Sequence, residues 1–152
     1  MINKLRMPLV VLAAFCLFSS LSYASQPGNM DVTIPGGDGA CAPPGFASGS
    51  QTSITGVPIT ISTWTANGQS MAAVTAIITQ SSPSSGILPA FHLVWTFNLT
   101  AGTYASSVPN FGSNTSGRFT GSITTNSAGG FVLNVTLGCG TKLQGATEFV
   151  GS

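Results

Sequence analysis

The sequence predicts an all-β domain, an antiparallel β-sandwich of about seven or eight strands held by one disulfide, with a small β-barrel as the alternative. Three observations predict it. Apolar and polar residues alternate with period two in several runs. Turn-forming clusters of Gly, Ser, Pro and Asn punctuate the chain about every ten residues. No window carries the 3.6-residue periodicity and capping residues of an amphipathic helix.

Taken in chain order, Lys4 and Arg6 precede an unbroken apolar run from Leu9 to Phe18. Ser22-Tyr23-Ala24 then places small residues at the two positions a signal peptidase reads. Residues 1–24 therefore read as an export signal, and their removal leaves 128 of the 152 residues. Ten apolar residues span roughly 15 Å as a helix, about half a bilayer's hydrocarbon core, so no transmembrane anchor is expected after cleavage. Cys16 leaves with the signal. Cys41 and Cys139 remain as an even pair, and in an exported chain such a pair is expected to form a disulfide.

Residues 25–50 read as an irregular N-terminal arm, because Gly36-Gly37-Asp38-Gly39 and Pro43-Pro44-Gly45 break any regular element. Met30, Val32 and Ile34 alternate within it, so the arm carries one short strand, a candidate donor strand for a neighbour's sheet. Residues 51–152 form the β-domain. Its clearest strand holds Phe91, Leu93, Trp95, Phe97 and Leu99 on one face, with His92, Val94, Thr96, Asn98 and Thr100 on the other. Phe131, Leu133, Val135 and Leu137 repeat the pattern, and Cys139 continues their inward set. Weaker strands are expected at Ile59–Ile61 with Trp64, Met71–Thr79, Phe119–Thr125 and Leu143–Val150. Turns are expected at Asn67-Gly68, 81–86, Ala101-Gly102, Pro109-Asn110, Ser116-Gly117 and Ala128-Gly129-Gly130.

Charged residues make up only 5% of the chain. Beyond the leader stand two cations, Arg118 and Lys142, and three anions, Asp31, Asp38 and Glu148. Two cations cannot neutralise a run of phosphates, so nucleic acid is excluded as a partner. Three scattered carboxylates supply neither a calcium cage nor the positioned pair of a glycosidase. Two cysteines and one histidine cannot complete a tetrahedral zinc site, so no metal or other cofactor is expected. Gly36-Gly37-Asp38-Gly39 is a single copy of a calcium-turn-like run, and the Gly-Thr-Lys of residues 140–142 lacks phosphate-loop spacing. No G-x-S-x-G elbow occurs, and His92 has only arm aspartates to complete a triad. The triplets at Asn98, Asn114 and Asn134 match the glycosylation acceptor pattern no more often than this composition produces it by chance.

The chain thus has the means to adhere and almost no equipment for catalysis. Edge strands are usually guarded by charge, and here Ser, Thr and Gly stand where Lys and Glu would. The first expectation is a non-catalytic surface, matrix or filament component, secreted or cell-surface (periplasmic in a bacterium), that associates with itself through sheet edges. The alternative is a monomeric extracellular binding module for glycans or a small ligand. Its face would hold His92, Thr96 and Asn98, with Trp64 and Tyr104 as aromatic platforms. A hydrolase or enzyme inhibitor with an unidentified site is the third reading.

Overall fold

The computed structural model describes residues 25–35, 52–78, 81–82, 86–87, 91–107 and 116–149. The leader, Cys41, Asn114 and the Gly-Pro-rich segment after residue 35 lie outside them. Eleven strands are described: β1 (Gln26–Ile34), β2 (Thr52–Ala66), β3 (Gln69–Ile78), β4 (Ser81–Ser82), β5 (Gly86–Ile87), β6 (Phe91–Asn98), β7 (Thr103–Ser106), β8 (Ser116–Arg118), β9 (Thr120–Thr125), β10 (Phe131–Thr136) and β11 (Lys142–Thr147). There is no helix among the described residues, hence none long and apolar enough to cross a membrane.

Nine of these strands form one antiparallel sheet in the order β8-β7-β6-β3-β2-β1-β11-β10-β9, and β4 and β5 pair separately. The expected sandwich is therefore replaced by its alternative, a single sheet curled into a nearly closed barrel. The reason is local. Only Phe119 separates β8 from β9, yet β8 pairs with β7 at one end of the sheet and β9 pairs with β10 at the other. One stretch of chain, 116–125, thus serves both edges and draws them together. The strand count exceeds the seven or eight expected, because β7 and β8 are too short to show a stripe and Ser116-Gly117 is strand rather than turn.

Period-two alternation decides which side chains fill the interior. Leu93, Trp95 and Phe97 of β6, and Leu133 and Val135 of β10 with Leu137 beyond it, are buried as their stripes require. Ile59 and Ile61 of β2, Ala72, Val74 and Ala76 of β3, and Met30, Val32 and Ile34 of β1 join them in the core. At about 25 cal/mol per Å² of apolar surface, this shared interior is the main source of stability. The β2–β3 hairpin turns at Asn67 and Gly68, whose φ angles of 50° and 74° suit the twist of a two-residue hairpin. Gly121 in β9 has φ 98°, and a methyl group there would collide with the Asn134 carbonyl, so only glycine lets β9 lie against β10.

Residues 25–35 do not precede the β-domain as an arm. β1 runs through the middle of the sheet, hydrogen-bonded to β2 and β11. Its one irregularity, a register shift between Met30 and Val32, is held by Asp31, whose Oδ1 accepts from the Gly56 N–H at 2.9 Å.

Candidate functional site

Three connections gather at one end of the barrel: the β2–β3 hairpin, the β6–β7 turn and the β9–β10 hairpin. The β6–β7 turn is built by Asn98, whose carbonyl accepts from the Gly102 N–H at 2.9 Å and whose Oδ1 accepts from the Ala101 N–H at 2.8 Å. Asn126 does the same work for β9–β10, its Oδ1 accepting from the Ala128 and Gly130 N–H groups. Between these connections lies a cleft of about 540 Å³. Its lining residues are Thr63, Trp64, Thr65, Ser70, Met71, Leu99, Ile123, Thr124, Thr125, Gly129 and Phe131. They come from β2, β3 and the end of β6 on one side, and from β9, its hairpin and β10 on the other.

Register explains the composition of this lining. Inward positions along β2 read Ile59, Ile61, Thr63, Thr65, and those facing them on β3 read Ala76, Val74, Ala72, Ser70. The interior therefore changes from aliphatic to hydroxyl-bearing toward the same end on both strands. Leu99, packed against the core, and the buried Ile123 and Phe131 keep the deeper wall apolar. Half-buried Trp64 is a second aromatic lining residue beside Phe131, although its register, paired with Met71, places it on the outer face of the sheet. None of the lining residues described is charged. Such a cleft offers an apolar seat, an aromatic face and a rim of hydroxyl donors and acceptors.

The floor beside Gly129 and Phe131 is fixed by a buried polar cluster. Thr147 Oγ1 accepts from the Phe131 N–H at 2.7 Å and donates to Gln26 Oε1 at 3.0 Å; Gln26 Nε2 donates to the Gly129 carbonyl at 3.2 Å. Gln26 is 6% exposed and Thr147 1%. This cluster ties the first residue of β1 and the last of β11 to the hairpin that forms one wall of the cleft.

The residues singled out from the sequence divide in the structure. Trp64 lines the cleft, and its cross-strand neighbours on the outer face are Met71, Asn98 and Thr103 in turn. Thr96, opposite Ala73 and Ala105, shares that outer face, as does exposed His92 opposite Ile77. The Asn98 side chain is already engaged, its Nδ2 donating to Gln69 Oε1 at 2.7 Å. Tyr104 lies elsewhere: paired with Phe97, it points inward and is 3% exposed, so it is no surface platform. Its Oη and Trp95 Nε1 are both buried, with no hydrogen-bond partner among the described residues. Met30, Val32 and Ile34 are core residues of a strand bonded on both sides. Donating this strand to a neighbour would dismantle the barrel's own sheet. Cys139 sits half-buried in the β10–β11 turn, at the opposite end from the cleft. The sequence reading missed Thr63, Thr65, Ser70, Met71, Leu99, Ile123 and Phe131 as a set, although the switch from Ile to Thr along β2 was its visible sign.

Among the described residues no three His, Cys, Asp or Glu side chains cluster in a metal-binding arrangement. Comparison with protein-family models, with curated proteins and with solved structures finds no match, so the chemistry of the cleft alone carries the functional reading.

Proposed function

We propose that this chain is an exported, non-catalytic binding module whose cleft at the barrel mouth holds a small neutral ligand with an apolar face and several hydroxyl or ether oxygens. Sugars and alkyl glycosides are the plainest members of that class. The observation that carries the reading is the lining itself: Trp64, Leu99, Ile123 and Phe131 supply apolar contact, Thr63, Thr65, Ser70, Thr124 and Thr125 supply neutral hydrogen-bonding groups, and no described lining residue is charged. A ligand of charged character would lose its hydration there without a countercharge. A volume of about 540 Å³ suits a molecule of disaccharide size. Export, followed by closure of a Cys41–Cys139 disulfide, belongs to the same proposal. A methyl group on Gly140, beside Cys139, would stand 3.1 Å from Pro35, and Pro35 precedes Cys41 by six residues in the sequence; this proximity of the Cys139 turn to the end of β1 is what supports the pairing.

The test uses the two tryptophans. Trp64 borders the cleft, whereas Trp95 is fully buried. Titration with neutral mono- and disaccharides and alkyl glycosides is expected to shift Trp64 emission saturably. Trp64→Ala is expected to weaken binding by roughly tenfold or more, the loss of about 1.5–3 kcal/mol of aromatic contact. A panel that moves neither the emission nor the melting temperature of the mature protein refutes the reading.

A further inference from the structure

β9 is the last strand of the sheet on its side, and its pairing with β10 fixes which backbone groups remain outside the ladder. The Asn126 N–H donates to the Gly130 carbonyl at 2.7 Å, and hydrogen-bonded pairs recur every second residue along an antiparallel ladder. Thr124, Ser122 and Thr120 therefore point their N–H and C=O groups at β10, while those of Ile123 and Thr125 point away from it. Phe119 confirms the alternation, since its N–H donates across to the Gly102 carbonyl on the other side. Among the described strands, none pairs with this side of β9 beyond Phe119. The kink at Gly121, φ 98°, ends the straight part of the edge, leaving Ser122–Thr125 as the stretch able to accept a strand. It carries no charge and no proline, the usual guards of such an edge.

We propose that this edge pairs with the same edge of a second copy, as an antiparallel two-fold dimer centred on Thr124. In that register Ile123 and the partner's Thr125 form one hydrogen-bonded pair, and Thr125 with the partner's Ile123 forms the other. The two Thr124 residues face each other as a non-hydrogen-bonded pair, with side chains on the outer surface. The occupant is a second copy because the edge is self-complementary: its free groups satisfy one another under two-fold rotation, and neither strand brings a repelling charge. The contact spans four residues, so the dimer is weak and concentration-dependent, below the size of a permanent interface.

The test is a directed cross-link. Non-hydrogen-bonded antiparallel partners hold their Cα atoms about 4.5 Å apart, within reach of a disulfide. Mature Thr124→Cys, oxidised at about 0.5 mM, is expected to give a reducible covalent dimer, whereas Ser122→Cys, with no self-opposed partner in this register, stays monomeric. Thr125→Pro on the Thr124→Cys background removes an N–H that faces the partner, not β10, and is expected to abolish the cross-link while the protein keeps its β circular dichroism and melting transition. Equal cross-linking of Thr124→Cys and Ser122→Cys, or none with either, overturns the proposal. Cross-linking undiminished by Thr125→Pro overturns it too. The cross-linking is carried out with no ligand present, so its outcome does not turn on whether the cleft binds one.

Discussion

Replacing Thr147 by valine keeps the side-chain shape and removes one hydroxyl, which makes it the sharpest probe of how the cleft wall is held. That hydroxyl accepts from the Phe131 N–H and donates to Gln26 Oε1, both in buried surroundings. Thr147→Val deletes two hydrogen bonds with a net worth of about 1 kcal/mol each. It also leaves a buried amide and a buried carbonyl oxygen without partners, so the total loss is about 2–4 kcal/mol. For a domain of this length that corresponds to a fall of roughly 10 °C in melting temperature. Thr147→Ser retains the hydroxyl and loses only a methyl group, a cost of about 1 kcal/mol. Urea denaturation of the three proteins, followed by circular dichroism, separates the cases. If Thr147→Val lies within about 0.5 kcal/mol of the parent, or Thr147→Ser is equally damaged, the buried cluster does not fasten the hairpin as described.

Gly121→Ala introduces a methyl group against the Asn134 carbonyl at a backbone angle that disfavours side chains, and is expected to cost about 2–4 kcal/mol in the same denaturation assay. Asn98→Ala removes the acceptor for the Ala101 N–H and the donor to Gln69, both at exposed positions, so its cost is about 1 kcal/mol with ligand affinity unchanged. Cys41→Ser and Cys139→Ser are each expected to lower stability by about 4–5 kcal/mol, the double variant no further. Mass spectrometry of the alkylated, unreduced mature chain is expected to find neither thiol labelled.

The sequence made faces legible and partners illegible. Phe91 to Leu99 and Phe131 to Leu137 announce strands with a buried side, and β6 and β10 follow them closely. Alternation states which side of a strand is wet, but not which strand lies beside it. The pairing of β1 with β11 joins residues more than a hundred positions apart, and nothing in Met30, Val32 and Ile34 distinguishes a central strand from a loose arm. Ser116-Gly117 has the composition of a turn. It becomes strand because β7 lies alongside and Gly117 fits over the Tyr104 ring, where a methyl group would come within 3.3 Å. Tyr104 misleads for the same reason: its four-residue strand is too short to show a stripe, and pairing with Phe97 turns it inward. The cleft is half-legible. Its hydroxyl wall follows from Thr63 and Thr65 replacing isoleucine in an inward series, whereas its opposite wall depends on the curl that brings β9 across from β2 and β3.

The same curl answers the question raised by a β-domain with so few charges. Charged side chains normally keep sheet edges apart, and a sheet that closes on itself has little edge to guard. Closure here is incomplete at one place. The stretch 116–125 pairs with β7 through its first half and with β10 through its second, so among the described strands the upper part of β9 has a neighbour on one side only. The cleft lies beside that gap, since Ile123, Thr124 and Thr125 are among its lining residues. It is also where the proposed dimer would form, on an edge that is uncharged and unpaired among the described strands. The proposed ligand site and the proposed dimer contact, which the composition alone left as separate possibilities, therefore share one four-residue segment, and on these two proposals an occupant seated against Ile123 and Thr125 is expected to compete with a partner strand for β9.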